Sequence, residues 1–154
     1  MKTEERIKKQ KELVERMGRY FDKEGMQPIA GRILGLLMVM DKEQFTFDEI
    51  TEELGISKSS ASNVLKNLEI RGSIEYVTFP GDRKRYFQIK KHDPLTVISE
   101  FENKMKIVKD HFNNIIELKA DKGSKNALHL KNMVKTIEYF MKNIDKFKKG
   151  FSTK

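Results

Sequence analysis

Residues 46–89 of this chain read TFDEITEELGISKSSASNVLKNLEIRGSIEYVTFPGDRKRYFQI, and this stretch decides the fold. Thr46 and Glu49 stand three apart, as do the two members of a capping box that starts a helix. Gly55 then supplies the left-handed residue at which a helix can end. The pattern predicts a short helix that begins at about Phe47 and stops before Gly55.

A second helix is expected after a tight turn, capped by Ser57 and ended by Gly72. Its buried stripe follows i, i+3, i+4 and i+7 spacing: Ala61, Val64, Leu65 and Leu68. The opposite face has no acid before Glu69, and its hydroxyl and amide side chains suit phosphate oxygens or base edges in a major groove. An ordinary solvent-exposed helix uses the same residue types, so the neighbouring sequence has to decide between the two interpretations.

That neighbouring sequence predicts a β-hairpin, with strands at residues 74–79 and 86–89 and a Pro80-Gly81-Asp82 turn between them. Three adjacent cations lie at its tip: Arg83, Lys84 and Arg85. They repel one another unless an anion lies opposite, and a guanidinium fits phosphate or a narrow minor groove. A solvated tip is the alternative. Two helices followed by a basic hairpin make a winged helix-turn-helix, and together they predict DNA binding.

The run ISKSSASNVLKNLEIRG followed by PGDRKRYF, with GMQPIAGRILGLLMV upstream, resembles the MarR superfamily of winged-helix transcriptional regulators, and most closely its GbsR-type branch. The resemblance implies a homodimer that binds a pseudo-palindromic operator in double-stranded DNA, with a repressor role relieved by a small-molecule effector. By matching positions, the DNA-binding residues are expected to be Ser57, Lys58, Ser59, Ser60, Ser62, Asn63, Lys66, Arg83, Lys84 and Arg85.

The rest of the chain predicts long amphipathic helices on both sides of this region. Asp93-Pro94 opens a helix to about Leu118, and another is expected from about Ser124 to Lys148. The expected fold class is mainly α with a small β-wing, a winged helix-turn-helix flanked by long N- and C-terminal dimerisation helices. The expected parts of this one continuous structural unit are an N-terminal dimerisation helix at 1–25, a DNA-binding domain at 26–92 and C-terminal dimerisation helices at 93–150.

These flanking helices supply more apolar surface than one subunit is expected to cover, which predicts a homodimer. Apolar residues recur with heptad-like spacings of three and four along the first C-terminal helix. The expected dimerisation residues are Ile7, Val14, Met17, Ile98, Phe101, Met105, Val108, Phe112, Ile137, Met141 and Ile144. Gly31 and Gly35, four apart in a helix opened by Pro28, predict close packing of another helix within the chain.

The charge distribution agrees with a DNA-binding surface. The 154 residues carry a net charge of +8. Residues 57–91 hold eight Lys/Arg against three Asp/Glu, or +5, whereas residues 26–56 hold two against six, or −4. Residues 121–154 hold nine against three, or +6, and a solubilising helix face is a better interpretation there than a second DNA site.

Enzymes and metalloproteins are disfavoured by what the sequence lacks. It has no cysteine, no glycine-rich phosphate loop and no Gly-x-Ser-x-Gly elbow, and its histidines have no paired-ligand spacing: His92, His111 and His129. We expect no catalytic residue, no metal and no cofactor. No apolar run is long enough to span a bilayer and the first ten residues are highly charged, so we expect a cytoplasmic protein without a membrane partner.

Two other functions remain open from sequence: a winged-helix protein-interaction module and a non-specific DNA-binding protein. The effector is also open. An effector pocket between the DNA-binding domain and the dimerisation helices could be lined by aromatic side chains, although these also fit an ordinary core: Tyr20, Phe21, Phe101 and Phe112.

Overall fold

The computed structural model describes residues 3–152, which form two compact units divided between Lys91 and His92. We call residues 3–91 the winged-helix unit and residues 92–152 the helical hairpin. The described residues contain six helices and one three-stranded antiparallel sheet, which confirms the predicted fold class. No helix among them is both long and apolar enough to cross a membrane.

The winged-helix unit contains four helices and the sheet. Its elements in chain order are α1 (Thr3–Lys23), α2 (Pro28–Val39), β1 (Phe45–Thr46), α3 (Phe47–Leu54), α4 (Lys58–Ile70), β2 (Ile74–Val77) and β3 (Tyr86–Ile89). The strand order is β1-β3-β2. Strand β1 was not predicted, and β2 ends at Val77 rather than at Phe79 because the Phe79 carbonyl already accepts a turn hydrogen bond from the Asp82 amide, at 3.0 Å.

The predicted capping box is present at the start of α3. The Glu49 amide donates to Thr46 Oγ1 at 3.3 Å, and the Thr46 amide donates to the Glu49 carboxylate at 2.8 Å. The pKa of Glu49 lies below its ordinary value, first because Lys42 donates a hydrogen bond to it and then because of the Thr46 amide. Gly55 ends the helix with φ of +58°. Since Thr46 also pairs with Tyr86 across the sheet, this cap joins the helix-turn-helix to the wing.

The hydrophobic core of this unit lies where the helices meet the sheet. Ile33 of α2 and Ile50 of α3 are fully buried, and Phe87 of β3 is nearly so. Helix α4 contributes the predicted stripe, of which all four members are buried: Ala61, Val64, Leu65 and Leu68. The stripe therefore holds α4 in place and leaves its opposite face in solvent.

Helices α1 and α2 pack closely through glycine. A Cβ added at Gly31 would lie 2.9 Å from the Cβ of Phe21 and 3.0 Å from the Cα of Gly18, closer than side chains tolerate. A Cβ at Gly35 would lie 3.2 Å from the Cα of Val14. The predicted close packing within the chain is confirmed: a side chain at Gly31 would force its neighbours to shift, and one at Gly35 would make contacts tighter than most.

The helical hairpin consists of α5 (Pro94–Leu118) and α6 (Lys125–Ser152). Asp93 caps α5 by accepting a hydrogen bond from the Thr96 amide at 3.3 Å. The carboxylate of the buried Glu102 accepts a 2.6 Å hydrogen bond from Lys148, which lowers its pKa. This ion pair ties the start of α5 to the end of α6.

The heptad seam predicted on α5 is unevenly covered within the chain. Ile98, Met105 and Phe112 are half-buried, whereas Phe101 and Ile115 are 45% and 44% exposed. Phe101 contacts Phe140 of α6 edge to face, with ring centroids 5.8 Å apart. The hairpin therefore keeps an apolar surface on the outside.

Two residues predicted for dimerisation are buried within the chain itself. Val14 is 3% exposed because it packs into the core of the winged-helix unit, and Ile137 is 7% exposed within the helical hairpin. Their side chains already have packing partners, so a dimer interface would have to use their exposed neighbours.

Candidate nucleic-acid interface

The N-terminus of α4 is organised by serine side chains. Ser57 Oγ accepts a hydrogen bond from the Ser60 amide at 3.2 Å and donates to Ser60 Oγ at 2.8 Å. The Ser59 hydroxyl lies 3.3 Å from Ser57 Oγ. Ser57 and Ser60 are both predicted to contact DNA, and in the structure the Ser57 hydroxyl caps the helix while the Ser60 hydroxyl accepts a hydrogen bond from it.

The exposed face of α4 carries the remaining residues predicted for this helix. They lie away from the buried stripe: Lys58, Ser59, Ser62, Asn63 and Lys66. Lys58 approaches Asp48 at 3.7 Å, although both side chains are mostly exposed. Lys66 has no ion pair within residues 3–152. This face therefore offers hydroxyl, amide and ammonium groups that can donate hydrogen bonds to another molecule.

Sequence reasoning missed Ile70 at the end of α4. It is 75% exposed, unusually so for an isoleucine, and it follows Lys66 by one helical turn. The signal was present in its spacing, because Ile70 does not fit the i, i+3, i+4 and i+7 positions of the buried stripe. It gives the exposed face an apolar end.

The hairpin between β2 and β3 forms the wing, and its tip is held by Asp82. Gly81 adopts φ of +81° in the Pro80-Gly81 turn. One Asp82 carboxylate oxygen accepts from the Lys84 amide at 2.9 Å, and the other accepts from the Tyr86 hydroxyl at 2.7 Å. These bonds lower the pKa of Asp82, with the Tyr86 bond as the larger cause, and the same bond raises the pKa of Tyr86. The loop that carries the three cations therefore has a defined path.

The three wing cations have different surroundings. The Arg85 guanidinium lies over the ring of Tyr76, with its Cζ 4.6 Å from the ring centroid. Arg83 and Lys84 are exposed, and neither side chain forms an ion pair in the described part of the chain. Only one member of the predicted trio is thus fixed by an aromatic partner.

A groove of about 540 Å³ separates α4 from the wing. Its charged lining comprises four cations and two acids: Lys66, Arg83, Lys84, Arg85, Asp48 and Glu69. Ser62 adds a hydroxyl to the same lining. The structure therefore brings together, in one basic groove, five of the ten residues predicted to bind DNA. An excess of cations with few acid partners provides a surface suited to an extended polyanion.

A helix-turn-helix whose second helix is exposed beside a basic hairpin defines the winged-helix class. The chain also matches known proteins of this class. Residues 24–85 match the model of the MarR family. Over 79 residues, the chain is 37% identical to the HTH-type transcriptional regulator MmpR5 of Mycobacterium tuberculosis, a match that covers 51% of this chain and 48% of that protein.

A solved structure described as a transcriptional regulator matches nearly the whole chain. It has a TM-score of 0.66 and 25% sequence identity, and the match covers 93% of this chain and 97% of that one. The winged-helix unit thus resembles the MarR family over residues 24–85, and the chain has a MarR-like winged-helix fold. The match spans about half the length of the curated relative, and nothing in these comparisons identifies a GbsR-type branch.

Proposed function

We propose that this protein is a sequence-specific regulator of transcription that binds double-stranded DNA as a homodimer. The basic groove between α4 and the wing supports this proposal most directly. A strand of DNA backbone in that groove would meet Lys66 on one side and Arg83 and Lys84 on the other. The exposed face of α4 would then lie against base edges in the major groove.

The relatives support the same proposal. MmpR5 and the matched solved structure are both described as transcriptional regulators, and neither is described as an enzyme. A regulator that binds a pseudo-palindromic operator and blocks transcription is the form that we propose for this chain. Release by a small-molecule effector is part of the proposal.

The homodimer is proposed to form through the apolar surface of the helical hairpin. Among its exposed side chains are Val97, Phe101, Ile115, Met133, Phe140 and Phe147. Exposed apolar surface of this extent on a basic, charged chain favours burial against a second copy. Two copies related by a two-fold axis would present two α4 helices to the two halves of an inverted repeat.

The salt dependence of DNA binding tests the role of the groove. Replacement of Arg83, Lys84 and Arg85 together by alanine should weaken binding to any duplex and lower the slope of log K against log salt by about two to three, since each phosphate contact contributes roughly 0.9. Fluorescence anisotropy at several KCl concentrations measures both quantities.

A matched control removes the same number of charges from α6, by alanine at Lys135, Lys142 and Lys146, which are exposed. This control should keep the slope. Equal losses in both triple variants would indicate charge-driven association without a defined site. If the wing variant keeps the salt slope of the unaltered chain and also still binds a protein partner, the result would instead support a protein-interaction module.

A further inference from the structure

A row of contacting side chains on one face of the wing points to a role for a residue that no sequence motif marks. We propose that Tyr76 is a positioning residue for DNA binding, which holds the guanidinium of Arg85 ready to contact a phosphate in the basic groove. The inference rests on the proposed function and names a determinant of affinity within that same site. Arg85 would be the contacting group, and Tyr76 would act through it.

The sheet register puts these side chains on one face. Tyr76 of β2 lies directly opposite Phe87 of β3, and Arg85 precedes Phe87 by two residues. Arg85 immediately precedes β3, and the alternation of side chains along β3, continued by one residue, places it on the same side as Phe87 and diagonal to Tyr76. The 4.6 Å separation between the Arg85 Cζ and the Tyr76 ring agrees with this placement.

Tyr76 is itself supported from the core. Its ring contacts Phe87 edge to face, with centroids 6.4 Å apart, and Phe87 is only 7% exposed. Tyr76 is 43% exposed, so one part of the ring packs inward while the rest remains at the surface. A chain of contacts therefore leads from the buried Phe87 through Tyr76 to the exposed Arg85.

A contact between a guanidinium and the face of an aromatic ring satisfies none of the hydrogen-bond donors that a phosphate would use, so the Arg85 N–H groups can still donate to an anion. Arg85 also contributes to the lining of the groove, together with Ser62 and Lys66. An arginine already held in one orientation loses less side-chain freedom when it binds a phosphate than an unsupported one does. Among the described residues, Arg83 and Lys84 form no cation–π contact like that of Arg85, so neither is held in this way before binding.

The test is a double-mutant cycle, with affinities for a duplex enriched from a random library measured at several KCl concentrations. Arg85→Ala should lower the salt slope by about one. Tyr76→Leu should weaken binding about three- to tenfold with an unchanged slope, because the phosphate contact remains but its preorganisation is lost. Tyr76→Phe keeps the ring and should bind like the unaltered chain.

Coupling between the two residues decides the outcome. In the Arg85→Ala background, Tyr76→Leu should cause no further loss, since the group that it positions is gone. Tyr76 also packs on Phe87, so its replacement could disturb the strand itself. Tyr76→Ile provides a second variant, because isoleucine favours a strand, and its DNA affinity should fall by the same factor as that of Tyr76→Leu. Thermal melting of each variant measures its effect on folding separately.

Three results would overturn the inference. The losses of affinity from Tyr76→Leu and Arg85→Ala could add in the double variant, or Tyr76→Leu could bind as tightly as the unaltered chain. The third such result is a Tyr76→Phe variant that binds as weakly as Tyr76→Leu. The unaltered chain is measured first. Its failure to bind any duplex would overturn the proposed function along with the inference, whereas firm binding with an uncoupled Tyr76 would overturn the inference alone.

Discussion

The two compact units of this chain use apolar residues in opposite ways. In the winged-helix unit, Ile33, Ile50 and Leu68 are fully buried in a core shared by helices and sheet. Among the described apolar residues of the helical hairpin, only Ala127 and Ile137 are buried. Two helices alone cannot enclose a core, so their outer apolar residues need another surface. The winged-helix unit is therefore completed by its own chain, whereas we propose that a second copy completes the hairpin.

The largest expected effect tests that need for a partner. Phe101→Glu combined with Phe140→Glu places two charges on the exposed aromatic contact of the hairpin, and it should convert a dimer into a monomer. Loss of the second DNA-binding unit should then reduce operator affinity about 100-fold, because bivalent binding is lost. Light scattering coupled to size exclusion measures the mass, and anisotropy measures the affinity.

The matched control is Asn103→Glu combined with Asn132→Glu, because these residues are exposed on the same two helices but are polar, so their replacement adds the same charge without removing apolar surface. It should remain dimeric. A control that dissociates as readily as the Phe101 and Phe140 variant would mean that the interface lies elsewhere on the hairpin. An unaltered chain that is already monomeric at micromolar concentration would contradict the dimer.

The next prediction compares a residue in the buried core of the winged-helix unit with an exposed residue of the hairpin. Ile50→Ala removes a fully buried side chain and should lower the free energy of unfolding by about 2–5 kcal/mol. Ile107→Ala in the hairpin, where the side chain is 56% exposed, should change it by no more than about 0.5 kcal/mol. Urea titrations at one fixed protein concentration measure both. A comparable loss at Ile107 would show that this position is buried in the assembled protein.

A smaller effect concerns the ion pair that joins α5 to α6. Lys148→Met leaves the buried carboxylate of Glu102 without its shortest hydrogen bond and should cost about 1–3 kcal/mol. Lys109→Met, which removes a 3.8 Å pair with the exposed Glu138, should cost less than about 1 kcal/mol. The double variant Glu102→Leu with Lys148→Met should recover most of the loss in urea titrations, and a double variant as unstable as Lys148→Met would contradict this account.

The smallest effect is a pH dependence at the start of α3. The folded-state pKa of Glu49 lies below its ordinary value of 4.5, mainly because of Lys42. Ionised Glu49 therefore contributes its full share to the free energy of unfolding above pH 4.5, and this share is lost as the pH falls through the folded-state pKa. Glu49→Gln should therefore cost about 0.5 kcal/mol at pH 7 and progressively less below pH 4.5. Thermal melting across this range measures the difference, and a loss that stays constant to low pH would contradict it.

Much of the winged-helix unit could be predicted because its signals are local. Thr46 with Glu49, Gly55 and Ser57 fix helix ends through hydrogen bonds to near neighbours, and the structure places those ends as expected. Strand β1 could not be predicted, because two residues carry no periodicity. Its existence depends on pairing Phe45 with Phe87, which is far along the chain.

The interface was predicted in composition but not in arrangement. The sequence marks Arg85 as a cation beside two others, yet its contact with Tyr76 depends on the register of β2 and β3. Ser57 and Ser60 looked equivalent to Ser62, although hydrogen bonds at the helix start engage the first two. On α5, heptad spacing could not reveal which positions α6 covers, because both sides of the seam are apolar.

Selection of bound sequences from random duplex DNA by the full chain tests the central claim most directly. We expect enrichment of an inverted repeat with half-sites about one helical turn apart, bound by two chains per duplex. Retention of DNA without any enriched sequence would contradict sequence-specific regulation, and it would leave only charge-driven association of the basic groove with nucleic acid.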